Sequence, residues 1–248
     1  MKFSRRHFLF LNTAWVAVTL LAITPAFAAD DTMASAKPAK AVKWHYLEPG
    51  KPDATKLLPP PPLPDSPEQA ADLAQVRAVH ATAASNDLAA AYSERKFTIY
   101  NFTEVAGAFL VETNLPKVTA FFAKVQSDAS AVVGGGKNYF QRPRPFVADP
   151  SLVNGYEGEK SYSYPSGHST ETMVLALVLS DLLPDQREAI VAHARAIGWR
   201  RVQIARHYYT DVFAGRVLAE AIVKQFKKSD AFEKDFAAAK AELEAARK

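Results

Sequence analysis

Six side chains in this chain have the types and spacing to handle a tetrahedral oxyanion: Lys137, Arg144, His168, Arg201, His207 and Asp211. They fall in three short motifs, Lys137-x6-Arg144-Pro145, Pro165-Ser166-Gly167-His168 and Arg201-x5-His207-x3-Asp211. Arginine offers a planar fork of donors that matches two oxygens of such an anion, and lysine adds a point charge. Ser166 or Ser169 is placed to cap the helix that starts after Gly167, and a helix start presents free N–H groups and a positive dipole end. Gly167 lets backbone approach a ligand closely, and His168 then stands where a leaving oxygen would need a proton. His207 and Asp211 are four apart, so on a helix they share a face. The carboxylate would hold one ring nitrogen and leave the other free to attack. No metal cage is required, because side chains supply the neutralising charge.

Each motif also has a plain reading: a solvated basic loop, a serine cap beside an incidental histidine, and a surface His–Asp pair. Their joint occurrence carries the argument. Arg142-Pro143-Arg144-Pro145 forbids a regular helix at that point, so Lys137, which follows Gly134-Gly135-Gly136, is expected on a loop. Gly198 is expected to end a helix, which would put Arg201 on the connection that enters the site. His193 reads as structural or exposed, and His45 and His80 match no motif.

The elements that must position these residues read as helical. The pattern predicts helices over 67–95, 101–113, 116–131, 168–183, 185–197, 209–227 and 231–247. Ser66-Pro67-Glu68-Gln69 is a helix start. Asn114-Leu115-Pro116 and Leu183-Pro184-Asp185 are turns. Asp230 and Glu233 read as a capping box, and Phe232, Phe236, Ala239 and Leu243 form one apolar stripe on the last helix. No alternating strand pattern or internal repeat stands out. The expected fold is all-α, a single-domain helical bundle over 66–248 preceded by a leader and Pro-rich arm over 29–65. Pro59-Pro60-Pro61-Pro62 favours an extended conformation, an arm lying on its own domain with Trp44, Tyr46, Leu57 and Leu58 as anchors.

The first 28 residues read as a secretory signal: basic Met1 to Arg6, apolar Phe8 to Ile23, and Ala26-Phe27-Ala28 as the cleavage site. The apolar run is shorter than the roughly 20 residues that span a bilayer. Ser4-Arg5-Arg6-His7-Phe8-Leu9 also fits a twin-arginine export signal, the alternative being an ordinary basic start. Cleavage removes three of the 30 basic residues and none of the 26 acidic ones, leaving a net charge of +1. That balance gives no reason to expect a nucleic-acid partner. The chain has no cysteine, which excludes disulfides, thiolate metal sites and cysteine nucleophiles. No later apolar run is long enough to span a membrane, so no membrane partner is expected after signal cleavage.

Taken together, the three motifs resemble those of the type 2 phosphatidic-acid phosphatase superfamily, and most closely those of its bacterial class A nonspecific acid phosphatases. The likeness runs from the Leu57-Leu58-Pro59-Pro60-Pro61-Pro62 stretch to the Phe232 to Glu242 tail and includes the context Ser163-Tyr164-Pro165. The resemblance implies the helical bundle of that superfamily. It implies that Lys137, Arg144 and Arg201 hold phosphate oxygens, with Ser166 and the Gly167 backbone adding hydrogen bonds. It implies that His207 forms a phosphohistidine, that Asp211 orients it, and that His168 protonates the leaving alcohol and then activates water. The implied enzyme is a periplasmic, metal- and cofactor-independent acid phosphatase of mildly acidic optimum. It would act on small phosphomonoesters such as nucleotides and sugar phosphates, with phosphotransferase side activity, as a homodimer or larger homo-oligomer. Three departures stand out: Arg200 replaces the usual serine before Arg201, the first motif has two Arg-Pro pairs, of which the family spacing from Lys137 selects Arg144 with Arg142 able to assist, and the family's cysteines are absent. Three other readings compete. A lipid-phosphate or polyprenyl-diphosphate phosphatase usually places these motifs between membrane spans, which are not expected in this chain. A vanadium haloperoxidase is typically longer. A non-catalytic phosphate-binding protein would need neither His168 nor the His207–Asp211 pair.

Overall fold

The computed structural model describes residues 42–152 and 159–248; the signal expected over 1–28 and the leader up to residue 41 lie outside the described residues. In chain order the helices are α1 (Ala54–Leu57), α2 (Pro67–Ala81), α3 (Ser85–Ser93), α4 (Thr103–Ala106), α5 (Pro116–Phe140), α6 (Pro145–Ala148), α7 (Gly167–Leu182), α8 (Arg187–Gln203), α9 (Tyr209–Phe226) and α10 (Asp230–Ala246). Short 3₁₀ turns link several of them, and no strand occurs among the described residues. The fold is all-α, as the sequence pattern predicts. None of these helices is long and apolar enough to cross a membrane.

α7 is the central element and packs against α5, α8 and α9. From Met173 to Leu182 nearly every side chain is buried, because this stretch is apolar on all sides. α10 lies across α5, with Phe232 stacked on Phe226 at 5.3 Å. Glu242 of α10 accepts from the Val118 N–H at 2.9 Å and so satisfies the start of α5, whose own N-cap, Leu115, has no side-chain acceptor.

The N-terminal arm is tied to the same body. Buried Asp128 of α5 accepts the backbone N–H groups of His45, Tyr46 and Leu47 at 3.0, 2.8 and 3.0 Å. Tyr164 Oη donates to the Pro59 carbonyl at 2.7 Å. Of the expected anchors, Tyr46 and Leu58 are buried and Trp44 packs partly buried on the core, but Leu57 is exposed, because one-turn α1 turns Ala54 inward instead.

Several sequence expectations are corrected. The helix expected over 67–95 breaks between α2 and α3, where the Thr82 hydroxyl turns back to the Ala78 carbonyl at 2.9 Å. The stretch 101–113 holds only the one-turn helix α4 between short 3₁₀ turns and is broken at Gly107, whose φ is +122°. α8 runs on past Gly198 to Gln203, so Arg201 stands in its last turn and not on a connection. The last helix is capped by Ser229 and not by Asp230: the Phe232 N–H donates to Ser229 Oγ at 3.4 Å.

The largest correction concerns α5. It continues through Gly134-Gly135-Gly136, and Lys137 lies in its last turn, not on a loop. Glycine costs a helix about 1 kcal/mol per residue relative to alanine, yet tertiary packing wins here. A Cβ at Gly136 would meet Pro165 Cδ at 3.0 Å and Ala54 Cβ at 3.2 Å, so the helix must be bare at that point to touch both segments. The chain leaves α5 through Gln141, left-handed at φ +49°, before the Arg-Pro pairs begin.

Gly215 of α9 has a similar task. A Cβ there would lie 2.9 Å from the Ser166 carbonyl oxygen and 2.9 Å from Thr170 Oγ1, at the start of α7. Gly215→Val is therefore expected to destabilise the fold by about 1–3 kcal/mol through overpacking. Urea unfolding followed by circular dichroism measures this, and a midpoint equal to wild type would contradict the close approach.

Candidate active site

The N-terminus of α7 points into a cleft of about 480 Å³ whose walls include Lys137, Arg144, Gly167, His168 and His207. Its remaining walls come from Arg95, Lys96 and Phe97 after α3, from Gln126, Ser130, Val133 and Gly134 of α5, and from Glu159, Ser161 and Glu171. Five of the eight residues singled out by sequence thus share one concavity. The other three, Ser166, Arg201 and Asp211, stand behind the wall.

The loop after α8 carries His207. Ala205 adopts a left-handed φ of +51°, and the N–H groups of Arg206 and His207 both return to the Arg201 carbonyl, at 2.9 and 3.3 Å. This reversal puts His207 before α9, while Asp211 sits in the first turn of α9. The expected i, i+4 contact forms without His207 being helical: Nδ1 and Asp211 Oδ2 are 3.3 Å apart. On the other side of the ring, Arg144 Nη1 lies 3.2 Å from Nε2. A guanidinium can only donate, so Nε2 must hold a lone pair and Nδ1 the proton. In that tautomer Nε2 carries the lone pair, which Arg144 engages at the cleft wall and which an anion that draws Arg144 away would release. Burial, followed by the charges of Arg144 and Lys137, holds the imidazole well below its ordinary pKa and keeps it neutral.

Asp211 is fully buried and saturated. It accepts from Arg142 Nη1 at 2.6 Å, Ser163 Oγ at 2.5 Å and the Tyr208 N–H at 2.9 Å. Arg142 also donates to Asp72 Oδ2 of α2 and to Gln69 Oε1, each at 2.7 Å, and its guanidinium lies 3.8 Å from the centre of the Tyr208 ring. Arg142 is thus no part of the cleft; it ties the orienting carboxylate to α2. Arg144, by contrast, reaches the cleft, steadied by the Ser161 and Arg206 carbonyls at 2.8 Å each.

Ser166 is the buried N-cap of α7 and accepts from the Ser169 N–H at 3.4 Å. Arg201 is buried and turned onto the Ala91 carbonyl, with Glu94 Oε2 at 3.5 Å. Arg200 takes the same Glu94 through Nε at 2.9 Å, which is where the extra cation of this chain is neutralised. Glu94 also fixes His168: the ring Nε2 lies 3.1 Å from the Glu94 carbonyl, which can only accept, so Nε2 donates. The Phe97 ring packs on His168 with centroids 5.0 Å apart. Burial, then the charge of Arg201, pushes His168 down to about 3. Burial, then Arg144, pushes Lys137 down to about 7. An anion in the cleft opposes both shifts.

Of the remaining histidines, His193 packs edge-on to Phe102 at 5.4 Å, and His80 Nδ1 bonds the Gln203 carbonyl at 2.7 Å. Sequence reasoning did not single out Asp72, Glu94 or Glu171, and it named Ser163 only within the family-like context before Pro165. Only Glu171 leaves a local trace: from 167 to 180, α7 holds just two ionisable residues, His168 and Glu171. The rest depend on which distant carboxylate meets which arginine. Among the described residues no group of three or more His, Asp or Glu side chains is placed to hold a metal ion.

Residues 118–230 match the model of the PAP2 superfamily. The chain is 29% identical over 203 residues to an acid phosphatase of Zymomonas mobilis, covering 79% of this chain and 77% of that protein. It is 28% identical over 195 residues to a non-specific acid phosphatase of Salmonella typhimurium, covering 75% of this chain and 78% of that protein. Among solved structures, a transmembrane PAP2-type phosphatidylglycerolphosphate phosphatase from Bacillus subtilis aligns at 22% identity. It covers 64% of this chain and 84% of that one, with a TM-score of 0.45.

Proposed function

For a chain that carries a PAP2 superfamily domain, we propose an acid phosphatase that hydrolyses small phosphomonoesters through a phosphohistidine at His207. The observation that carries this reading is the state of His207: neutral, with its Nε2 lone pair held by Arg144 in the wall of a cleft that also receives Lys137 and the start of α7. The acid phosphatases to which the chain is similar support the same chemistry.

In the proposed cycle Lys137, Arg144 and the backbone N–H groups at Gly167 and His168 hold the phosphoryl oxygens, where charge develops. His207 Nε2 attacks phosphorus; a P–N bond forms as the ester P–O bond breaks, and His168, protonated once the bound anion has raised its pKa, gives that proton to the departing alkoxide. Water, losing a proton to His168, then attacks phosphorus and breaks the P–N bond, releasing inorganic phosphate. An alcohol in place of water yields phosphotransfer. Asp211 holds the Nδ1 proton and stabilises the imidazolium-like intermediate. Ser166 serves by capping α7, and Arg201 by its charge behind His168. The cleft volume suits nucleotide- or sugar-sized leaving groups. The reaction needs no metal or cofactor. The signal-like start of the sequence supports export to the periplasm, and the family resemblance supports a homodimer or larger assembly.

The test is hydrolysis of p-nitrophenyl phosphate by the mature chain between about pH 5 and 7, near the free-histidine pKa, with a chelator present. Acid quenching during turnover then asks whether a labelled, acid-labile and alkali-stable phosphoprotein accumulates. Chelator-resistant turnover with that intermediate is expected. No turnover, or turnover abolished by the chelator, overturns the reading.

A further inference from the structure

Glu171 has no part in the cycle above, yet its carboxyl lies in the cleft wall among the groups assigned to the anion. It is placed there by helix geometry. Gly167 and Glu171 are four apart on α7, and long side chains on a helix lean back toward its N-terminus. A Cβ at Gly167 would meet Glu171 Oε1 at 3.6 Å and Lys137 Cε at 3.8 Å, so the carboxyl, the lysine stem and the open end of α7 converge on one spot. The two carboxyl oxygens have different surroundings. Oε2 accepts from Gln126 Nε2 of α5 at 3.4 Å, whereas Oε1 borders Gly167 at the helix start.

A carboxylate is out of place beside a tetrahedral anion, whereas a carboxylic acid is a good donor to one. We propose that Glu171 is the proton-dependent selector of this cleft. As an acid it donates through Oε1 to an oxygen of the bound anion. As a carboxylate it draws on Lys137 and repels the anion, which closes the site as pH rises. The inference rests on the phosphate reading of the cleft and adds a determinant of which pH admits the substrate.

The surroundings set when the switch occurs. Burial pushes the Glu171 carboxyl up to about 7, against Gln126, Ser130 and the charge of Lys137 on α5, all of which favour ionisation. The other charged groups on the cleft wall are Arg144, Arg95 and Lys96, together with Glu159, which Arg206 and Ser161 already engage. His168 and His207 complete the titratable set, and burial leads both toward the neutral form. Below its pKa Glu171 is thus a neutral donor among cations, and above it the cleft gains a negative charge.

Sulfate is the probe, because it stays a dianion throughout the range and titrates nothing itself. Its affinity is measured by calorimetry on the purified wild-type chain, Glu171→Gln and Glu171→Ala, at about pH 5.5 and 8, on either side of the proposed switch. Affinity should fall with pH in the wild type, and the fall should be about fivefold smaller or less in both variants, since neither can ionise at that position. Glu171→Ala guards against a packing effect peculiar to glutamine. Sulfate binding in all three proteins with the same pH ratio, within about twofold, overturns the inference and assigns the slope to Lys137 and the histidines. A wild type that binds sulfate at neither pH overturns the phosphate reading of the cleft itself.

Discussion

Replacing His207 with alanine is expected to lower p-nitrophenyl phosphate hydrolysis by roughly 10⁴-fold or more, the scale on which loss of a nucleophile acts. The ring touches Arg144, Asp211 and Ser163, and its only route to the reaction is Nε2. Alanine removes the attacking atom and leaves Asp211 bound by Arg142, Ser163 and the Tyr208 N–H. The cleft should therefore keep its cations and still bind sulfate. Turnover within about tenfold of wild type would exclude a phosphohistidine at this position.

The same substitution carries a stability signature. The folded state holds His207 well below its ordinary pKa, whereas the unfolded chain titrates near ~6.5. Above that pH neither state is protonated and the group has no effect. Below it the unfolded chain binds a proton that the folded site refuses, so stability falls as pH falls. His168 acts in the same direction from about 6.5 down to its own value of about 3. Each buried neutral imidazole should cost about 1.4 kcal/mol per pH unit in that window. Urea unfolding from about pH 6.5 to 5 should show a shallower decline in His207→Ala than in wild type, by about that slope. Equal slopes would mean that His207 is free to protonate in the folded protein.

Breaking the Arg142 bridge should be the most destabilising single change in the site. Arg142 is 4% exposed, and its partners Asp72 and Asp211 are 6% and 0% exposed. Arg142→Met leaves two buried carboxylates without their cation, a loss on the order of 3–5 kcal/mol. Asp211 would then lose the cation that holds it in place and His207 its fixed tautomer, so kcat should fall even in the molecules that stay folded. Adding Asp72→Asn removes one of the stranded charges and should recover part of the stability but not the rate, because Asp211 still lacks its anchor. Denaturant unfolding and kcat of the two variants separate the effects. A stability loss below about 1 kcal/mol for Arg142→Met would show that the pair is well solvated.

The sequence by itself determined the chemical inventory. The spacing of Lys137, Arg144, His168 and His207 is enough to nominate residues that share one cleft, because these side chains act through charge and protons that only a few residue types supply. It also determined most helix starts, since Ser66-Pro67 and Pro116 carry their helix signals locally. Tertiary structure decided the rest. Packing of Pro165 and Ala54 on Gly136 keeps α5 helical through three glycines and puts Lys137 on a rigid element. The spacing from Lys137 that the family resemblance supplies favours Arg144 but leaves Arg142 able to assist; Asp72 on a distant helix claims Arg142 and leaves Arg144 to the cleft. Glu94 likewise draws Arg200 and Arg201 behind His168. A buried arginine must meet a carboxylate or carbonyl to offset its desolvation. The partner that does so is chosen by the packing of remote segments, and that information exists only once the chain has folded.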